Sequence, residues 1–91
     1  MPGKIELTLY SKPDCPLCDE MEKVIREVGA EMPFRIRYVD ISADAGLQSR
    51  YGLDIPVLMY GGEHLAKHRV HKKTLAGKLR KIMESADGET P

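Results

Sequence analysis

An α/β fold, with a four-stranded mixed sheet flanked by helices, follows from three features of this 91-residue sequence. Two segments of alternating apolar and β-favouring residues, 5–10 and 34–40, bracket an amphipathic helical stripe, the pattern of a β-α-β unit. Gly61-Gly62 then separates two further strand-like runs, the pattern of a hairpin. A second helical stripe closes the chain, and the predicted order is β-α-β-α-β-β-α.

Ile5-Glu6-Leu7-Thr8-Leu9-Tyr10 reads as the first strand. Ser11-Lys12-Pro13-Asp14 is a turn or loop, because Pro13 pushes Lys12 away from helix. A helix starts near Pro16, which has no N–H to leave unpaired at a first helical position. Leu17, Met21, Val24, Ile25 and Val28 form its apolar stripe, and Gly29 is placed to cap its C-terminus. Residues 34–40 form the second strand, parallel to the first through a right-handed crossover. Ser42 or Asp44 caps a short helix carrying Leu47 and Tyr51, which Gly52 ends. Ile55 to Tyr60 is the third strand, with Pro56 at its start where it removes no inner ladder bond. His64 to Val70 returns as the fourth, antiparallel strand, and the last helix covers about Lys73 to Ser85 on a stripe of Leu75, Leu79, Ile82 and Met83. One domain over residues 1–86 is expected, with a frayed tail over 87–91.

The composition narrows the function. Apolar residues make up 42 % and charged residues 31 %, as in an ordinary globular domain and unlike a disordered one. Fourteen acidic residues balance fourteen basic ones, so the basic excess of a general nucleic-acid binder is missing. No apolar run approaches the ~20 residues of a membrane span, and no long apolar stretch follows Met1-Pro2-Gly3-Lys4 as in a signal peptide. A cytoplasmic monomer with no membrane or nucleic-acid partner is expected. In that compartment a structural disulfide is unusual, and two cysteines at this spacing point to redox or metal chemistry.

Cys15 and Cys18 are three apart at a helix start. Helical residues three apart are surface neighbours, about 5–6 Å between Cβ atoms, so the pair can close a disulfide with little backbone movement. Cys15 precedes the helix, where unpaired N–H groups and the macrodipole favour a thiolate, and Lys12 adds a nearby positive charge. Asp14, Asp19 and Glu20 oppose a further negative charge. The helix-end geometry favours Cys15 as the attacking thiol and Cys18 as the resolving thiol. A Cys-x-x-Cys pair is also half of a zinc site, and His64, His68 and His71 could be counted as further ligands. These fall on the hairpin and its exit, nothing places them at the start of the first helix, and no second compact knuckle exists, so no metal is expected. Two inert buried thiols are the remaining alternative.

Three segments carry a family resemblance: Leu7-Thr8-Leu9-Tyr10, then Lys12-Pro13-Asp14-Cys15-Pro16-Leu17-Cys18, then Tyr51-Gly52-Leu53-Asp54-Ile55-Pro56-Val57. Together, over residues 5 to 85, the chain resembles the glutaredoxin branch of the thioredoxin superfamily, and within it the short glutaredoxin-like proteins of mostly bacterial origin. The resemblance implies a thioredoxin-like fold and a thiol–disulfide oxidoreductase. It implies a cis peptide before Pro56, beside the active cysteine, and a substrate that runs extended along the backbone of Ile55. Lys12 matches a lysine that meets a glutathione carboxylate in that family, and Pro16 and Leu17 flank the substrate from inside the pair. Three departures stand out. Leu17 replaces the usual aromatic residue, Asp54-Ile55-Pro56 replaces Thr-Val-Pro, and His68-Arg69-Val70-His71-Lys72-Lys73 replaces a Gly-Gly-small-Asp motif that holds a second glutathione carboxylate. One glutathione contact is thus kept and another missing.

The expected reaction reduces protein disulfides or glutathione mixed disulfides. Electrons come from glutathione or a thioredoxin-type reductase, and no bound cofactor is needed because the dithiol carries both electrons. The competing reading is a non-catalytic binding module that docks a partner or a metal through the same Cys-x-x-Cys surface. Elsewhere, Lys72, Lys73, Lys78, Arg80 and Lys81 read as a solvated helix face, and Arg35 and Arg37 as charges that guard an edge strand. Tyr10, Tyr51 and Tyr60 read as aromatics at the edge of the core, and His71 as a cap of the last helix.

Overall fold

The first alternating segment folds as β1 (Ile5–Ser11), and the stripe that follows as α1 (Pro16–Gly29). β2 (Phe34–Asp40) leads into a 3-10 turn (Ile41–Ala43) and α2 (Ala45–Tyr51). β3 (Val57–Tyr60), β4 (Glu63–Lys67) and α3 (Lys72–Gly88) complete the chain. This is a computed structural model, and it describes residues 5–88. The strands form one sheet in the order β2-β1-β3-β4. β1 runs parallel to β2, from Ile5 opposite Phe34 to Ser11 opposite Asp40, while β3 is antiparallel to both β1 and β4. The sheet is therefore mixed, as the β-α-β unit and the hairpin require.

The period-two pattern sorts side chains onto two faces. Leu7, Leu9, Leu58 and Leu65 point to one face and meet Met21, Ile25, Val28, Leu75 and Leu79 from α1 and α3. Val57 and Met59 point to the other face and join Cys18, Ile41, Tyr51 and Ile55. Tyr10, Cys15 and Leu47 pack against that second cluster. β2 is an edge strand, with Arg35 and Arg37 exposed as expected. Tyr38 is 49 % exposed at its far end; partial burial, followed by the nearby Glu22 carboxylate, holds its hydroxyl above the ordinary value.

Several boundaries differ from expectation, each for a local reason. α1 runs through Gly29 in regular helical form, and Ala30 takes the C-cap, its N–H reaching back to the Arg26 carbonyl. Asp44 caps α2 by accepting the Leu47 N–H at 3.0 Å, whereas Ser42 lies within the 3-10 turn that Asp40 caps. Gly52 caps the C-terminus of α2, as expected, and sits so close to the Gln48 carbonyl that no Cβ fits there. β3 begins only at Val57: Pro56 has no N–H, and the Ile55 N–H turns back to the Tyr51 carbonyl. The Gly61-Gly62 turn is present, with Gly61 at φ +59°. β4 stops at Lys67, short of the expected Val70, because His68 enters the left-handed region at φ +66° and turns the chain toward α3. α3 extends through Gly88, past the expected Ser85, and the rest of the anticipated tail lies outside the described residues. Lys78 is exposed on α3, as expected, and its ammonium also donates to the Leu65 carbonyl on β4.

Candidate functional site

The loop after β1 delivers Cys15 to the head of α1. Asp14 adopts φ +56°, a left-handed value that aspartate tolerates better than most residues, and the chain reverses there into the helix. Cys15 is the N-cap residue, with extended backbone, and Pro16 follows at the first helical position. The Cys15 Sγ accepts the backbone N–H of Cys18 at 3.2 Å, an unpaired donor that every helix start must place somewhere. Cys15 and Cys18 are joined in a disulfide, with Cα atoms 5.2 Å apart, inside the range such a bond requires.

The two sulfurs have different surroundings. Cys18 is 1 % exposed among Ile41, Tyr51, Ile55, Val57 and Met59, while Cys15 is half-buried at the rim of the same cluster. Tyr10, at the rim of this cluster as expected, stacks on Tyr51 with ring centroids 4.2 Å apart, whereas Tyr51 itself is buried within the cluster and not at its edge. Burial, and then the adjacent Tyr51, push the Tyr10 hydroxyl above its ordinary value, so it adds no negative charge near the cysteines at neutral pH. Leu17 is half-buried and Pro16 exposed on the first turn of α1; Lys12, Asp14, Asp19 and Glu20 are all exposed.

The Gly52–Pro56 segment forms a second wall of the second cluster. The Ile55–Pro56 peptide is cis, as the resemblance implied. The N–H groups of Asp54 and Ile55 both donate to the Tyr51 carbonyl, at 2.8 and 3.1 Å. The Pro56 carbonyl accepts the His68 N–H at 2.9 Å. Among the described residues, no backbone hydrogen bond reaches the Ile55 carbonyl. Leu53 is 95 % exposed in the same segment, and nothing in its sequence context marks it out.

His68 and His71 lie at the exit of the hairpin, as expected, and not at the start of the first helix. The segment from His68 to His71 passes beside Glu20, Met21 and Val24, further along α1, across a groove of about 330 Å³. The early end of β4 brings the chain there. Among the described residues, no three His, Cys, Asp or Glu side chains gather as metal ligands, and no helix is long and apolar enough to cross a membrane.

A mixed sheet with this strand order, and a Cys-x-x-Cys disulfide at the head of its first helix beside an Ile-Pro segment, defines a thioredoxin-fold thiol protein of redox type. More narrowly, the chain belongs to the family of the glutaredoxin-like domain (DUF836), whose model matches residues 6–80. It is 27 % identical over 64 residues to a thioredoxin of Methanocaldococcus jannaschii, covering 67 % of this chain and 75 % of that protein. The structural-genomics target protein XcR50 from X. campestris superposes with a TM-score of 0.72 at 32 % identity, over 82 % of this chain and 96 % of that one. Escherichia coli glutaredoxin shares the fold, with a TM-score of 0.55 at 17 % identity over 88 % of this chain and 99 % of its own.

Proposed function

We propose that this protein is a cytoplasmic thiol–disulfide oxidoreductase that reduces protein disulfides or glutathione mixed disulfides, with Cys15 attacking and Cys18 resolving. The observation that carries this reading is the asymmetry of the pair: the half-exposed Cys15 caps the helix and receives the Cys18 N–H, while Cys18 is buried behind it. On reduction, that N–H and the helix macrodipole stabilise a thiolate on Cys15.

The Cys15 thiolate attacks one sulfur of the substrate disulfide. A Cys15–substrate disulfide forms, and the other substrate sulfur leaves as a thiolate and takes a proton. Cys18 then loses its proton and attacks the Cys15 sulfur, which closes the disulfide described above and frees the second substrate thiol. Two electrons have passed to the substrate, and two glutathione thiols or a dithiol reductase restore the protein. No resident cofactor enters this cycle, and a monomer suffices for it. An extended substrate lies along the Gly52–Pro56 segment with an N–H toward the free Ile55 carbonyl. Pro16 and Leu17 line its path, Pro56 supports that path from beneath because its side chain is fully buried, and Lys12 meets an acidic group such as a glutathione carboxylate.

A redox titration in glutathione buffers, with thiols alkylated and counted by mass, tests this. The expected result is reversible loss of two thiols together, a stable glutathione adduct on Cys18→Ser, and no exchange by Cys15→Ser. A pair that stays reduced throughout, or that is shielded from alkylation by added zinc, assigns the surface to a binding module instead.

A further inference from the structure

We propose that His68 is a positioning residue, which grips the Leu53–Pro56 segment at both ends and holds the Ile55 carbonyl in place for an extended substrate. This rests on the function proposed above.

Three observations converge on this side chain. The His68 backbone N–H donates to the Pro56 carbonyl at 2.9 Å. Its ring Nε2 lies 3.1 Å from the Leu53 carbonyl, fifteen residues earlier in the chain. A carbonyl only accepts, so Nε2 carries the proton in this contact. The backbone of His68 stands at φ +66°, a left-handed value that non-glycine residues seldom adopt, although histidine is among those enriched there. That turn lets one residue present both its N–H and its ring to the same segment.

The segment between the two grips is otherwise held from one side. Tyr51 receives the N–H groups of Asp54 and Ile55, and His68 engages the carbonyls of Leu53 and Pro56. Among the described residues, the carbonyls of Asp54 and Ile55 have no backbone partner. A donor strand arriving from solvent meets acceptors whose position is fixed at each end. The same position in the chain is where the sequence departs from the glycine-containing motif of glutaredoxins, so the departure and the left-handed histidine coincide. His68 touches neither cysteine in any described hydrogen bond, and its action on exchange runs through the segment alone.

The test compares full-length wild type with His68→Gly and His68→Gln on two substrates, a peptide mixed disulfide and 2-hydroxyethyl disulfide. Glycine accepts the left-handed backbone without a steric cost and deletes only the ring. His68→Gly is expected to raise KM for the peptide about five-fold, the weight of one net hydrogen bond, with kcat held. Turnover of the small disulfide, which has no backbone to align, and the reduction potential of the pair are expected to stay at wild-type values. Glutamine places an amide N–H near the Nε2 position, and His68→Gln is expected to recover the peptide KM. Amide hydrogen exchange at Asp54 and Ile55 is expected to quicken in His68→Gly and to slow again in His68→Gln. An unchanged peptide KM in His68→Gly overturns the inference while leaving the oxidoreductase intact. Equal losses on both substrates overturn it too, by assigning His68 to the fold in general. A wild type that reduces neither substrate removes the proposed function itself, and the positioning role with it.

Discussion

The two faces of the sheet are covered by different amounts of protein. On one, Leu7, Leu9, Leu58 and Leu65 are sealed by two long helices, and all nine residues of that cluster are at most 3 % exposed. On the other, Val57 and Met59 are covered by a seven-residue helix, a 3-10 turn and the Gly52–Pro56 segment. The first cluster is aliphatic apart from the Met21 thioether. The second holds a cysteine and a tyrosine, with Tyr10 and Cys15 at its rim. α1 serves both: its stripe of Met21, Ile25 and Val28 anchors it to the thick face, while Cys18, in its first turn, belongs to the thin one. The helix that carries the reactive pair is thus held by packing that the pair does not share. A half-exposed sulfur needs thin cover, and thin cover is tolerable because stability comes from the opposite face.

Truncations on the two faces are expected to have different consequences. The largest effect is expected from Leu79→Ala, which empties a fully buried position between α3 and the sheet. A loss of about 2–5 kcal/mol in denaturant unfolding is expected. At a temperature where the variant stays folded, the reduction potential of Cys15–Cys18 is expected to match wild type. A shifted potential would mean that the two faces are coupled.

Tyr51→Leu probes the other side. Tyr51 is 7 % exposed and stacks on Tyr10, and leucine keeps much of the apolar contact while removing the ring pair. A smaller loss is expected, on the order of 1 kcal/mol. Here the alkylation rate of reduced Cys15 is expected to change, because Tyr51 packs in the cluster that holds Cys18 and flanks Cys15. A variant with wild-type thiol reactivity and a Leu79-sized loss of stability would reverse the roles of the faces.

Periodic patterns were legible in the sequence, and the thick face is made of them. The stripes of α1 and α3 and the alternation of β1 and β2 name nearly all of its residues in advance. The Cys-Pro-Leu-Cys pair was legible too, because a helix start and a spacing of three have fixed consequences for thiols. The thin face was harder to read. Its walls are loops held by backbone bonds between distant residues, such as His68 to Pro56, and these leave no period. The left-handed turns at Asp14 and His68 occur without the glycine that usually announces them, so the end of β4 and the path of His68–His71 past α1 were missed. The faint signal was the loss of the glycine motif after the fourth strand.

Asp44→Ala removes the N-cap of α2, the helix that covers the thin face. About 1 kcal/mol of stability is expected to go with it. Because α2 ends in Tyr51, just ahead of the Gly52–Pro56 segment, faster hydrogen exchange is expected at Asp54 and Ile55, whose amides bond to Tyr51. Amides in α1 are expected to stay protected. Uniform loss of protection through both helices would show that the faces unfold as one unit.

The smallest expected effects are electrostatic, one on each face. Glu31, just past α1, pairs with Lys72 at the head of α3 at 2.8 Å, and the ammonium holds the Glu31 carboxyl below its ordinary range. Asp40 accepts the hydroxyl and the N–H of Ser42 at the 3-10 turn, and its carboxyl is lowered by those bonds. A carboxyl whose folded value lies below its unfolded one adds stability above the unfolded value, and that stability fades as pH falls through the folded one. Both contributions are therefore present at neutral pH and lost in acid. Lys72, raised by Glu31, keeps its part until pH climbs past the ordinary lysine range. Glu31→Gln and Asp40→Asn are each expected to lower the melting temperature slightly at neutral pH and not in strong acid. Salt separates the two. The Glu31 pair is an exposed ion pair that molar salt screens, whereas the Asp40 contacts are short local hydrogen bonds of 2.6 and 2.8 Å that survive it. If molar salt erases the Asp40→Asn difference as well, then the cover of the thin face depends on charge rather than on the turn's own hydrogen bonds.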